Sequence, residues 1–210
     1  MSNQFEIGLV INAGGGSRRM GADKALLPTP PDGRPLLERM LGRLAPLAPR
    51  PVIVVTNDPA LPTRIRYAEP IRYVADAYPG TGALGGIATG LRFASGWSWM
   101  LACDMPLIDP GVLAYLAGYA GAEDRWDLVL PQVDGRWQPL HALYHVRCLP
   151  AMERSLEQGE RRILSCLSEL RVREVSEAEV ARVDPDFRSF FNANTPTEWA
   201  QARQWLVEEG

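Results

Sequence analysis

Histidine, cysteine and long apolar runs are all scarce in this chain, and each scarcity removes a class of function. There are only two histidines, His141 and His145, so a histidine-rich metal site is excluded. The three cysteines, Cys103, Cys148 and Cys166, lack metal-site spacing and cannot all pair, which fits a reduced, cytoplasmic setting. No apolar run reaches membrane-spanning length, and the first residues lack the apolar core of a signal peptide. Neither sign of charge is in large excess. The net charge of −3 means that the surface as a whole is no nucleic-acid footprint, and any basic patch is local. No Ser–His–Asp or Cys–His arrangement presents itself, and no residue demands the part of a covalent nucleophile.

What is present begins near the start of the chain. An apolar run at residues 7–11 leads straight into Asn12-Ala13-Gly14-Gly15-Gly16-Ser17-Arg18-Arg19-Met20-Gly21-Ala22-Asp23-Lys24. A buried strand ending in a glycine-rich, basic loop brings backbone N–H groups up to a phosphate that side chains would keep away. Arg18, Arg19 and Lys24 add positive charge. Two familiar phosphate loops do not fit. The P-loop needs Lys directly after its second glycine, but Ala22 follows Gly21; the dinucleotide fingerprint needs a sixth-position glycine where Arg19 stands. The loop is a third kind.

With 210 residues, 46% of them hydrophobic, the chain suits one α/β domain with a full core. Strand patterns at residues 7–11, 52–56, 71–75, 97–102, 127–130 and 171–175 alternate with helical ones. Leu36, Leu37, Met40, Leu41 and Leu44 fall on one face of a helix, and residues 84–94 read as another despite their glycines. Asp109-Pro110 opens a helix, Asp at the N-cap and Pro in the first turn. Thr195-Pro196-Thr197-Glu198 is a capping box launching the last helix through Trp199, Ala202 and Leu206. Residues 28–35, rich in proline, read as a loop beside the glycine loop, and residues 135–144 read as a hairpin arm. The alternation implies a mostly parallel sheet with helices on both faces.

Ligands on such sheets bind at the carboxyl ends of the strands, where four loops meet. They are the glycine loop, Thr56-Asn57-Asp58, the stretch from Asp76 through Gly86, and Cys103-Asp104-Met105-Pro106. Asp104 ends an apolar strand, so its carboxylate is rigidly placed and suited to Mg²⁺ that neutralises nucleotide phosphates; the plainer reading is a turn residue. Lys24 is a flexible cation with the reach for triphosphate oxygens. Asp76 either accepts from a base or ribose hydroxyl or shapes the Tyr78-Pro79-Gly80 turn. Of Arg18 and Arg19, one serves phosphates and the other a surface ion pair. His141, in an alternating run, reads as a satisfied structural histidine. Asn192 and Asn194 share one face if extended and suit a polar or anionic ligand beside the last helix; otherwise Asn194 and Thr195 simply cap it. With no covalent nucleophile, these groups point to phosphoryl or nucleotidyl transfer, in which the nucleophile belongs to the substrate.

These residues resemble the nucleotidyltransferases of the GT-A-like, Rossmann-related type, and more narrowly the molybdenum cofactor guanylyltransferases. The signature L-A-G-G-x-S-x-R-M-G-x-D-K is met from Ala13 to Lys24, with Asn12 in place of Leu. Gly85-Gly86-Ile87, Cys103-Asp104-Met105-Pro106, Gln138-Pro139-Leu140, Gly159-Glu160-Arg161-Arg162 and Asn192-Ala193-Asn194-Thr195-Pro196 follow in the same order. The resemblance implies a Rossmann-like three-layer α/β sandwich: a mostly parallel sheet, helices on both faces and a small antiparallel extension. It implies one nucleotidyltransferase domain over residues 1–210, with a nucleotide half to about 131 and an acceptor half from 132. The reaction would join GTP and molybdopterin into molybdopterin guanine dinucleotide and pyrophosphate. Asn12, Ala13, Gly14, Gly15 and Arg19 would contact the nucleotide, Lys24 its phosphates, and Asp76 the guanosine end. Thr56 or Asn57 would add a contact. Asp104 would bind Mg²⁺ and nucleotide, acting with Lys24 in catalysis, while Asn192 and Asn194 would face the pterin. Molybdoenzymes or their insertion chaperones would receive the product, with no nucleic-acid or membrane partner. Similar proteins use CTP or transfer nucleotides to sugar phosphates, and these are the alternative readings.

Overall fold

A computed structural model describes residues 6–14, 23–121 and 125–208. The first apolar run forms β1 (Gly8–Asn12). The proline-rich stretch, expected as a loop, instead folds into a small antiparallel ribbon of β2 (Pro28–Thr29) and β3 (Arg34–Pro35). Its polar groups find partners across the turn and on the next helix: Thr29 Oγ1 donates to the Arg34 carbonyl at 2.7 Å, and Arg39 donates to the Pro30 carbonyl at 2.7 Å. The spaced leucines then form α1 (Leu36–Leu44), with Leu36, Leu37, Met40, Leu41 and Leu44 all buried.

The chain continues through β4 (Val52–Val55), the short α2 (Leu61–Arg64), β5 (Ile71–Val74), α3 (Gly82–Leu91), β6 (Trp97–Ala102) and α4 (Pro110–Ala117). Asp109 caps α4 as its sequence suggested, accepting from Gly111 N at 2.6 Å. The glycines of α3 are not weak points but a packing device. A Cβ on Gly90 would lie 2.3 Å from Val10 Cγ1, so only glycine lets the helix settle this close to β1.

Beyond α4 come β7 (Leu128–Val133), β8 (Arg136–Trp137), β9 (His141–His145), α5 (Leu149–Glu157), β10 (Val172–Val175), α6 (Glu177–Val180) and α7 (Pro196–Glu208). The expected hairpin arm is only half an arm. β7 and β8 form a hairpin whose turn residues, Asp134 and Gly135, have φ of 51° and 66°, the twist a two-residue turn requires. Residues 141–145 go instead to the middle of the main sheet, where His141, Ala142, Leu143 and Tyr144 are completely buried. An unbroken buried quartet belongs between two strands, not on an exposed arm.

The main sheet runs β10-β7-β9-β6-β1-β4-β5, and β9 alone along this path is antiparallel to its neighbours. Alternate residues build two cores. Leu9, Ile11, Val54 and Leu101 pack with α1, α4 and α7; Val10, Ile53, Val55 and Met100 pack with α3 and α5. The result is the three-layer sandwich expected. From β1 the strand order runs out through β4 and β5, then crosses back to β6, so the switch point falls between the ends of β1 and β6. No described helix is long and apolar enough to cross a membrane.

Candidate active site

The loops after β1 and β6 are tied at the switch point. Cys103 N donates to the Asn12 carbonyl at 3.1 Å, continuing the β1–β6 pairing one step past the strands. Asp104 follows at once, and its carbonyl accepts from Ala193 N at 2.9 Å, which brings the segment before α7 to the same place. Lys24 arrives on a short 3₁₀ turn, Lys24–Leu26, opened by Asp23, whose carboxylate accepts from Ala25 N at 3.0 Å.

These three arrivals make one cluster. Lys24 Nζ donates to Asp104 Oδ2 at 2.9 Å and to Asn194 Oδ1 at 2.6 Å. Positions 24, 104 and 194 therefore meet around one ammonium group. The Lys24 and Asp104 side chains are only 14% and 18% exposed, which excludes the ordinary surface lysine. Asp104 Oδ1 is buried and has no hydrogen-bond partner among the described residues. A buried carboxylate oxygen left without a donor is costly unless something else takes it up. Asn12, Cys103 and Leu140 join the three in lining a cavity of about 210 Å³.

Asn194 is free for Lys24 because another residue caps α7. Glu198 Oε2 accepts from the backbone N of both Asn194 and Thr195 at 2.8 Å, and Thr195 Oγ1 accepts from Glu198 N at 3.2 Å. The backbone N–H of Asn194 is the chief cause holding the Glu198 carboxyl below its usual range. Asn192 goes elsewhere: its Nδ2 donates to the Phe190 carbonyl at 3.1 Å. The structure thus separates the two asparagines that the spacing put on one face.

A second cavity, of about 400 Å³, is lined by Asn12, Asp76, Ala83 and Leu140 together with Gly14, Gly80 and Gly82. Asp76 shapes the turn, as one of its two expected readings has it. Its Oδ1 accepts from Tyr78 N at 2.9 Å and from Thr89 Oγ1 at 3.1 Å, fixing the turn, while the residue lines the cavity. Asn57 supports it from the neighbouring loop by accepting from Asp76 N at 3.0 Å. Thr56 is turned inward, its hydroxyl accepting from Asp58 N at 3.1 Å, and it lines neither cavity.

The glycine loop is less bare at its start than its composition suggests. Ala13 N donates to the Val55 carbonyl at 2.8 Å, and Gly14 N donates to Asn12 Oδ1 at 3.1 Å. Gly15 and Arg19, with the rest of residues 15–22, lie outside the described residues. Cys103 is no nucleophile: burial pushes its thiol up to about 12, and Asp104 adds to the effect. His141 is a core residue. Its Nε2 is 2.7 Å from Ser189 Oγ, and burial pulls its pKa down to about 3.

The Gly159-Glu160-Arg161-Arg162 motif contributes a wall that its sequence alone does not assign to the site. The structure sets Arg161 and Arg162 with Arg136, Trp137 and Leu164 around a third cavity of about 470 Å³. Ala83, at the start of α3, lines this cavity and the second one alike, so the two adjoin. The signal was the run of two arginines; no spacing showed that the hairpin bearing Arg136 and Trp137 supplies the opposite wall.

Fold and site together define a nucleotidyltransferase of the open α/β class. Residues 9–175 match the MobA-like NTP transferase domain. The chain is 36% identical over 203 residues to a probable molybdenum cofactor guanylyltransferase of Chloroflexus aggregans, covering 94% of this chain and 93% of that one. It is 35% identical over 202 residues to the molybdenum cofactor guanylyltransferase of Desulfosudis oleivorans, covering 92% of each. The crystal structure of molybdopterin-guanine dinucleotide biosynthesis protein A from Archaeoglobus fulgidus superposes with a TM-score of 0.80 at 28% identity, covering 96% of this chain and all of that one. The chain belongs to the MobA-like NTP transferase family.

Proposed function

We propose that this protein transfers GMP from GTP to molybdopterin, forming molybdopterin guanine dinucleotide and releasing pyrophosphate. The observation that carries this reading is the Lys24–Asp104–Asn194 cluster at the switch point, in a chain whose relatives carry that activity in their names. A phosphate oxygen of the acceptor attacks the α-phosphorus of GTP. One P–O bond forms, the bond to the β-phosphate oxygen breaks, and pyrophosphate leaves with the electron pair. Such a transfer needs positioning and charge neutralisation rather than a protein nucleophile, in keeping with the protonated, buried thiol of Cys103.

Each group has a part in this reading. Lys24 neutralises charge on the departing phosphates. The donor set fits Mg²⁺: Asp104 offers a carboxylate oxygen without a partner among the described residues, and one carboxylate completed by substrate phosphates and water is how this ion is commonly held. Among the described residues no group of three metal-ligating side chains exists, in keeping with a metal held largely by substrate. When bound, the ion supplies Lewis-acid neutralisation of the triphosphate. Ala13, Gly14 and Gly15 border the nucleotide, with Arg19 and the loop of Thr56 beside it, and Asp76 lies at its guanosine end. Asn194 accepts from Lys24 and orients it toward the departing phosphates, and Asn192 holds the segment that carries Asn194. The arginine-rich cavity beside Ala83 suits the anionic, fused-ring body of the acceptor, with Trp137 as a flat wall.

A pyrophosphate-release assay with molybdopterin as acceptor tests the reading. Release with GTP, and little with CTP, ATP or UTP, is the expected outcome. Turnover that favours CTP, or that needs a sugar phosphate as acceptor, overturns it.

A further inference from the structure

Asn12 departs from the loop signature, and the structure gives its carboxamide a use that leucine lacks. It is the last residue of β1, in register with Val55 on one side and Ala102 on the other. Its carbonyl is held by Cys103 N at 3.1 Å, so its backbone is fixed by the sheet. Its side-chain Oδ1 accepts from Gly14 N at 3.1 Å, closing the first turn of the loop. On the other side the carboxamide fills the space that α3 leaves at Gly86. A Cβ on Gly86 would stand 2.3 Å from Asn12 Nδ2 and 2.8 Å from its Cγ. Glycine at 86 and asparagine at 12 are therefore fitted to each other. Asn12 also lines both the cavity of Lys24 and Asp104 and the cavity of Asp76.

We infer that Asn12 is a positioning residue for the nucleotide: its carboxamide wedges the start of the glycine loop against α3 and fixes the wall between the two cavities. This rests on the proposed reading that one nucleotide spans both. A triphosphate at Lys24 and a nucleoside at Asp76 are correctly separated only if that wall does not rotate. Leucine has similar bulk but no acceptor for Gly14 N–H, so the turn would lose its closing bond.

Calorimetry of GTP binding and steady-state kinetics on the full chain test the inference with Asn12→Ala, Asn12→Ser, Gly86→Ala and Asn12→Ala/Gly86→Ala. Asn12→Ala is expected to raise Kd and KM for GTP about tenfold while kcat changes by less than about threefold, the loss of one organising hydrogen bond. Asn12→Ser restores most of the affinity, because a serine hydroxyl two residues back can accept from the same N–H. Gly86→Ala weakens GTP binding in the parent and has much less effect where Asn12 is already alanine, since the clash is with the carboxamide. Unchanged GTP affinity in Asn12→Ala, or strictly additive effects at positions 12 and 86, overturns the inference. If Asn12→Ala melts before it can be assayed, Asn12→Ser with and without Gly86→Ala carries the same cycle. A parent that binds GTP but releases no pyrophosphate with molybdopterin sinks the transfer reading and leaves the wedge standing.

Discussion

At the scale of single residues, three side chains meet at the switch point. Lys24 and Asp104 neutralise each other at 2.9 Å, and Asp104 keeps one oxygen without a partner among the described residues. Lys24→Ala should lower kcat/KM by about a hundredfold, the order seen when one charge-stabilising group is removed from an active site. Asp104→Ala should bind GTP equally with and without Mg²⁺, whereas the parent should bind more tightly with it; calorimetry in both conditions reads this directly. His141 makes a different prediction. Its folded pKa is about 3 against an ordinary 6.5, because burial disfavours the cation. Below pH 6.5 the unfolded chain takes up a proton that the folded chain refuses, so this contribution to stability is complete above 6.5 and falls away toward 3. Urea midpoints measured across that range should decline less steeply in His141→Gln than in the parent. Equal slopes would show that His141 does not couple folding to pH.

At the scale of elements, close approach decides more than propensity. α3 contains Gly82, Gly85, Gly86 and Gly90, a poor composition for a helix, yet it is almost entirely buried. The cost of glycine in a helix is offset by contact with β1 that no larger residue permits. Gly90→Ala should lower stability by about 1–3 kcal/mol in chemical denaturation, because Val10 is completely buried and has nowhere to move. Much of the element pattern was legible in the chain: the spaced leucines of α1, the Asp-Pro start of α4 and the capping box of α7 are local signals, and local hydrogen bonds realise them. The β2–β3 ribbon and the central place of β9 were not legible. A two-residue strand has no period to detect, and whether an apolar run lies at an edge or between neighbours depends on strands far away in sequence.

At the scale of the whole molecule, one carboxylate ties together segments distant in sequence. Asp127, 9% exposed at its side chain, accepts from Arg147 Nε at 2.9 Å and from Arg171 Nη2 at 2.7 Å, joining the entries to β7 and β10 with the turn after β9. The Arg171 guanidinium, with Arg147 beside it, holds this carboxyl well below the usual carboxylate range. Both arginines are partly solvated, so Asp127→Ala should cost about 2 kcal/mol of stability rather than the full cost of a buried pair. A denaturant midpoint unchanged by that substitution would show that Asp127 does not tie these segments together. Arg136, Arg161 and Arg162 line the third cavity together with Ala83.

The sequence by itself determined the reaction class and the positions of the helices and most strands. Glycines, cations and strand-end carboxylates are local in the chain, and so is the periodicity that buries one face of α1. Only the tertiary structure decided which of these meet. It joined Lys24 to Asp104 and Asn194, turned Asn192 and Thr56 aside, and gave Asn12 a wedge against Gly86. Those outcomes depend on a sheet order that places β6 beside β1 and brings the segment before α7 to the Asp104 carbonyl. Contacts between positions 80 and 170 residues apart are set by packing and strand pairing, which no local spacing encodes.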